Sequence, residues 1–288
     1  MDWHSRFLQQ AAWTRDLRIY LFERAGLTRA RRVLEVGCGT GAILSDLAPC
    51  PVSRAGTGTT SREPGLLRKN RDYHATPAAI HGLDLEPARL AEARRHIPAA
   101  ALVCGNALGL PYPSRVFDIT FCHFLLLWVR DPLRALLEMK RVTRPGGAVL
   151  ALAEPDYDSR VDKPDALAPL GRWQAESLRR QGADPGLGSR LATLFRQAGF
   201  RPIETGTLRA SPGSSGVVPV PARGTGRGGG ERLPTPAERN LEWAVLETDL
   251  AGWVPAQEIS RMKLLDEQAW ERGERVLHVP TYFAWGKV

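Results

Sequence analysis

The sequence predicts an α/β fold in which a mostly parallel sheet carries helices on both faces. Two observations lead there. Arg31-Arg32 gives way to the largely apolar Val33-Leu34-Glu35-Val36, as a buried parallel strand does, and residues 42–47 then read as a helix. Between them stand glycines at alternate positions, Gly37, Gly39 and Gly41. Glycine is needed where a backbone turns sharply, adopts positive φ, or meets a ligand with no Cβ in the way. Strand, glycine-rich turn and helix make the first half of a nucleotide-binding unit.

Two ligand classes compete for such a turn. Gly37-x-Gly39-x-x-Ala42 fits the dinucleotide fingerprint, in which alanine can replace the third glycine. The same stretch also reads Glu35-x-Gly37-x-Gly39-x-Gly41. An acid at Glu35 is awkward beside a pyrophosphate and helpful beside an ammonium or a network of N–H groups. This second form resembles motif I of the class I S-adenosylmethionine-dependent methyltransferases, whose loop cradles a ribose and a zwitterionic methionine tail. On the turn alone both classes stay open.

Composition narrows the field. The 288 residues, 43% hydrophobic, can bury a core and carry a lid. The net charge of +8 and pI of about 9.7 raise the question of nucleic acid. The basic residues are nearly all arginine, are scattered, and alternate with acids across residues 86–95, which favours a mixed solvated surface over an RNA-binding face. No apolar run approaches the roughly 20 residues that span a bilayer. The start, Met1-Asp2-Trp3-His4-Ser5-Arg6, lacks the apolar core of a signal peptide. Cys38, Cys50, Cys104 and Cys122 show neither CxxC spacing nor a nearby histidine pattern, so neither disulfides nor a metal are expected and a cytoplasmic location fits.

Along the chain, residues 1–30 read as a helical cap, amphipathic over 3–26 and closing at Gly26. Residues 49–77, with Gly56, Gly58 and Gly65 and no sustained period, form an inserted loop far longer than ordinary helix-to-strand connections. Residues Ala79–Asp84 form the second strand, ending in an acid, and Glu86-Pro87 opens a helix. The third strand is Ala101–Cys104, followed by Gly105-Asn106-Ala107-Leu108-Gly109-Leu110-Pro111 and the fourth strand, Phe117–Cys122. These resemble two further motifs of the family, written GDAxxLPF and FDxVxx, with Asn106 in place of the acid. Asp131-Pro132 starts a helix that ends at Arg144-Pro145-Gly146-Gly147 and turns into the apolar fifth strand, 148–153. That helix, turn and strand closely resemble the methyltransferase pattern, for which a dehydrogenase has no need.

The resemblance covers residues 31–153, the insertion apart, and the remainder in outline. It implies S-adenosyl-L-methionine as cofactor and a Rossmann-like seven-stranded sheet in the order 3-2-1-4-5-7-6, the last strand antiparallel. It implies cofactor contacts from Glu35, Gly37, Cys38, Gly39, Thr40 and Gly41 of motif I, from Asp84 and Leu85 after the second strand, from Asn106, Ala107 and Leu108, and from Cys122 and His123. Asp84 would take the ribose hydroxyls, the Asn106 amide oxygen the adenine amino group, and Arg15 of the cap the methionine carboxylate.

Beyond the fifth strand, 155–185 and 237–274 read as helical lid segments, 200–208 as the sixth strand and 276–285 as the seventh, with Pro280 marking an edge or bulge. Residues 210–236, dense in Gly, Pro and Ser, are expected to be disordered. Methyl transfer is a direct displacement that needs a base only if the acceptor must lose a proton. His123 is the first candidate, Tyr157 the second, with Glu154 and Asp156 nearby. Phe124, Trp128, Tyr157 and Trp173 suit an apolar or aromatic small-molecule acceptor. Cys122-His123-Phe124-Leu125 stands where methyltransferases of DNA, glutamine and adenine amino groups carry an Asn/Asp-Pro-Pro-aromatic tetrad. An RNA methyltransferase using the arginine surplus, and a non-catalytic scaffold protein, remain the alternatives.

Overall fold

A computed structural model describes residues 2–48, 79–201, 203–210, 217–220 and 234–288. Helices α1 (Trp3–Trp13) and α2 (Arg15–Ala25) precede β1 (Arg32–Val36), α3 (Leu44–Leu47), β2 (Ala79–Asp84), α4 (Pro87–His96), β3 (Ala101–Cys104), β4 (Phe117–Cys122), α5 (Pro132–Val142) and β5 (Thr143–Pro155). Then follow β6 (Val161–Lys163), α6 (Ala168–Arg180), α7 (Leu187–Gln197), β7 (Ile203–Ala210), β8 (Val217–Val220), α8 (Pro236–Leu250), α9 (Ala256–Glu271), β9 (Val276–His278) and β10 (Thr281–Lys287). The insertion expected at 49–77 lies outside the described residues.

The main sheet runs β3-β2-β1-β4-β5-β10-β7-β8. Strands β1 to β5 pair in parallel, and β10 lies antiparallel between β5 and β7. This is the expected order, with the C-terminal strand inserted beside the fifth. Two details differ from expectation. Val217–Val220, inside the stretch expected to be disordered, forms β8 and pairs antiparallel with β7. Its valines favour extended backbone, and Pro219 is tolerated because the strand lies at the sheet edge. Residues 211–216 and 221–233 of that stretch lie outside the described residues. The expected seventh strand is split around Pro280: β9 leaves the sheet to pair with β6 as a separate ribbon, and the Pro280 carbonyl accepts the Asp156 N–H at 2.7 Å.

Alternation along the strands sorts the core into two layers. Val33, Ile119, Phe121, Leu150 and Leu152 face α2, α3 and α4, where Leu21, Phe22, Leu44 and Leu90 meet them. Leu34, Val36, Val149 and Ala151 face α5 and α7, against Leu136, Met139, Leu191 and Phe195. Asp118 joins β4 to the start of β1, its Oδ2 accepting the Arg31 and Arg32 N–H groups, each at 2.7 Å.

A third cluster, Leu170, Trp243, Leu246, Leu250, Met262 and Ala269, joins α6, α8 and α9. Beneath it runs a buried ionic chain. Arg160 holds Asp162 through two bonds of 2.8 and 2.9 Å, and Arg275 Nη2 donates to Asp162 at 2.7 Å. Arg275 Nε pairs with Asp266, whose other oxygen accepts from Trp243 Nε1 at 2.9 Å. The chain thus ties the β6–β9 ribbon to α8 and α9. Removing one member of a buried pair strands the other, which typically costs about 3–5 kcal/mol. Arg275→Leu is therefore expected to destabilise the protein by that amount in urea unfolding. A loss below about 1 kcal/mol would show that the chain is not what holds these helices together.

Candidate active site

The glycine turn leaves β1 where the strand order reverses between β1 and β4, the crevice in which open α/β sheets bind ligands. Gly37, Gly39 and Gly41 have φ of +76°, +52° and +81°. A β-carbon at each would stand 2.7 Å from Leu125 Cδ1, 2.9 Å from Phe7 Cε2 and 2.8 Å from Ile97 Cδ1 respectively. The Gly37 and Cys38 N–H groups donate to the Leu83 carbonyl at 2.7 and 2.9 Å, fastening the turn to β2. Asp84, at the end of β2, accepts the Gly39 N–H at 2.7 Å with one oxygen and the Glu86 N–H at 2.9 Å with the other. Thr40 is fully buried, with Oγ1 2.9 Å from Nδ1 of His4. Cys38 is buried too; burial, then the charges of Glu35 and Asp84, push its thiol well up.

Glu35 shares the strand face of Val33 and is buried, and its Oε2 has no hydrogen-bond partner among the described residues. Burial holds its carboxyl well above the usual range, while Arg18 pulls the other way. Arg18, 1% exposed, donates to Asp46 at 2.6 Å, to Thr14 Oγ1 at 2.7 Å and to the Ala11 carbonyl; its Nε has no partner among the described residues. The unpaired Glu35 oxygen and Asp84, on either side of the turn, fit S-adenosylmethionine: the acids complement an ammonium and a ribose diol. Arg18 is a residue that the sequence reading passed over. The cap arginine singled out there, Arg15, is the half-buried first residue of α2. Arg18 lies on the stripe of Leu21 and Phe22, and an arginine on an apolar stripe was the available signal.

The other expected contacts divide. Leu85, 62% exposed, follows Asp84 directly. Asn106 is exposed and its amide oxygen accepts the Leu108 N–H at 2.9 Å, a turn role, while Ala107 is buried and Leu108 half-buried. Glu138 anchors this loop to α5 by accepting the Leu110 N–H at 2.9 Å. The Cys122 side chain is buried in the core on the α5–α7 face, so only its backbone is free to meet a cofactor.

His123 meets the junction of α1 and α2: Nε2 lies 2.9 Å from Thr14 Oγ1. Burial, then the Arg18 charge, push its pKa well down, so the imidazole is neutral at pH 7. Phe124 has φ of +50°, rare for a side chain of its size, and its N–H is held by the Ala153 carbonyl at 2.9 Å. Nothing in the sequence marks that conformation. Glu154 is not poised as a base. Its carboxylate accepts the N–H groups of Leu125, Leu126 and Leu127 at 3.1, 3.0 and 3.3 Å, and burial still pushes its pKa up to about 7. Asp156 caps the turn at Tyr157–Ser159. Tyr157 is half-buried, its phenol pushed up by burial, in the field of Arg6 and Glu242, which pair across α1 and α8. The structure thus groups Glu35, the glycine turn, Asp84 and Arg18, brings His123 to Arg18 through Thr14, and sets Tyr157 under the α1–α8 contact.

Two outcomes follow from this geometry. Glu154→Ala leaves three N–H donors without their acceptor and should cost about 3 kcal/mol in chemical denaturation. The folded-state pKa of His123 lies below its unfolded value of about 6.5, so the unfolded chain binds the proton first. The stability that His123 contributes is therefore full above about pH 6.5 and is lost as the pH drops from there, whereas Glu35 and Glu154, with raised pKa values, act in the opposite direction and favour the folded state as the pH drops. His4, His81 and His278 shift the same way as His123, so between pH 7.5 and 5.5 His123→Gln should lose less stability on acidification than the wild type does. An unchanged slope would mean that His123 is not held neutral.

Residues 34–151 match the family model described as a methyltransferase domain. The chain is 35% identical over 150 residues to a malonyl-[acyl-carrier protein] O-methyltransferase from Halorhodospira halophila, covering 50% of this chain and 43% of that protein. It is 34% identical over 170 residues to the ubiquinone/menaquinone biosynthesis C-methyltransferase UbiE of Bordetella parapertussis, covering 58% and 55%. The chain thus spans about half the length of the curated relatives it matches. Among solved structures, a Haemonchus contortus phosphoethanolamine N-methyltransferase 2 crystallised with S-adenosyl-L-methionine superposes with a TM-score of 0.52 at 16% identity, covering 96% of this chain and 52% of that one. The YcgJ protein of Bacillus subtilis gives 0.51 at 12% identity, covering 95% and 98%. Through the match at residues 34–151, its strand order and its glycine turn, this chain carries a methyltransferase domain similar to those of the class I S-adenosylmethionine-dependent methyltransferases.

Proposed function

We propose that the chain transfers the methyl group of S-adenosylmethionine to a small apolar or aromatic acceptor by direct displacement, as a cytoplasmic enzyme. The observation that carries this reading is the buried Glu35 oxygen left without a partner among the described residues, beside a turn whose Gly37, Cys38, Gly39 and Gly41 N–H groups are tied down. Among the described residues no helix is long and apolar enough to cross a membrane. Many arginines, among them Arg6, Arg18, Arg141, Arg160 and Arg275, are spent on ion pairs, which favours a mixed surface over an RNA-binding face.

In this reading the glycine turn and Glu35 hold the methionine end, with Arg15 near its carboxylate. Asp84 takes the ribose, and Leu85, Asn106, Ala107 and Leu108 border the adenine. The cofactor, when bound, supplies the electrophilic methyl group. The protein supplies orientation, worth up to about 7–11 kcal/mol when the acceptor is held in line. Neutral His123 accepts a proton from an acidic acceptor group. Tyr157 and the lid helices α6, α8 and α9 border the acceptor. The likeness to an O-methyltransferase and a C-methyltransferase supports an acceptor atom of one of those kinds.

Thermal unfolding with S-adenosylmethionine, S-adenosylhomocysteine and NAD tests the cofactor directly. A ligand at 100 times its Kd adds about 2.7 kcal/mol. Stabilisation by the two adenosyl ligands alone is expected. A response to NAD alone would overturn the reading of the turn, and no response to any would leave a scaffold protein. With a panel of phenol, quinol and carboxylate acceptors, His123→Gln should lower kcat by about 100-fold or more while keeping the cofactor response. A kcat within a few-fold of wild type would make His123 a packing residue.

A further inference from the structure

We propose that His4, Glu92 and His96 bind a divalent transition-metal ion that fastens the N-terminal helix over the glycine turn. Glu92 and His96 stand four residues apart on one face of α4, and His4 comes from the first turn of α1. One ligand atom from each of the three lies within 4.8 Å of the others, and His96 Nε2 is 4.0 Å from Glu92 Oε1. Metal ligands in a four-coordinate site are about 3.3 Å apart, so side-chain rotation must close the triangle.

The two imidazoles lie face to face, centroids 3.6 Å apart and planes 2° from parallel. Stacked rings point their lone pairs side by side and do not share an ion, so one ring must turn. His96 is free to do so, being exposed at the end of α4. His4 is held: its Nδ1 lies 2.9 Å from Thr40 Oγ1. When Nδ1–H donates to that hydroxyl, Nε2 carries the lone pair, the arrangement by which a neighbouring group orients a metal-binding histidine. Two imidazoles and one carboxylate select zinc, nickel, cobalt or copper over magnesium and calcium, and leave at least one position for water. The ion would join α1 to α4 directly above Thr40, and the site is independent of what the glycine turn binds.

The test is a titration of tag-free, chelator-treated full-length protein with zinc, read by competition with a chromophoric chelator. One ion per chain should bind with a micromolar or tighter Kd, and magnesium should not compete. His4→Ala and His96→Ala should each weaken binding by about tenfold or more. His4→Gln, which can keep the Thr40 contact, should weaken it as much if the metal rather than the fold needs the imidazole. Cys104→Ser, which removes an exposed thiol, should change nothing. Amide exchange over residues 3–13 should slow on adding zinc, because the ion ties down that helix. Zinc affinity that survives the double His4→Ala, His96→Ala variant, or that is weaker than about 100 μM in the wild type, would overturn the proposal.

Discussion

Most of this molecule's arrangement is constrained by one requirement: three separate segments must come within van der Waals contact of a five-residue turn. Leu125, after β4, closes on Gly37; Phe7, on α1, closes on Gly39; Ile97, at the end of α4, closes on Gly41. No side chain fits at any of the three, and all three glycines hold positive φ. The turn is therefore a packing hub, and its neighbours are buried accordingly: Thr40 and Leu44 are inaccessible, and Cys38 nearly so.

The buried acids around this hub differ in how fully the protein answers them. Glu154 receives three backbone N–H groups and spends its charge on holding the 125–127 segment, which in turn places Leu125 against Gly37. Asp84 receives two, one of them from the turn itself. Glu35 keeps one oxygen without a partner among the described residues although it is as deeply buried. A buried polar atom left unpaired costs about 1–3 kcal/mol, so its retention needs a reason. Glu154, whose two oxygens are both answered, serves architecture, whereas Glu35 keeps an oxygen that the described residues leave unanswered. That criterion separates Glu154 from Glu35, two carboxylates at the ends of neighbouring parts of the sheet, more sharply than their places in the sequence do.

The parallel half of the sheet was legible because strands buried on both faces read as apolar runs and because the turn, Asp84 and the Pro145-Gly146-Gly147 step punctuate them. What was not legible depends on contacts between distant residues. Whether Glu154 is a base or an anchor is decided by three N–H groups almost thirty residues earlier. The backbone of Phe124 adopts left-handed φ because Ala153 and Glu154 hold both its sides. β8 was hidden by the glycines around it, since four residues carry too little pattern to outweigh a composition that argues for disorder. The C-terminal strand was read as one piece because proline on an edge strand is tolerated; Pro280 instead separates two strands with different partners.

The N-terminal helix joins the two halves of the candidate site. On one side α1 meets the glycine turn through His4 and Phe7. On the other, Arg6 pairs with Glu242 and the Gln9 amide donates to the Glu238 carbonyl, both on α8. Its C-terminal end hands over at Thr14, which touches both His123 and Arg18. A displacement of α1 therefore breaks contacts to the turn, to α8 and to His123 together. Because Arg6 is buried and charged, moving it away from Glu242 is costly unless both ends are rehydrated at once. Those couplings favour an α1 that moves as a unit over one that frays residue by residue.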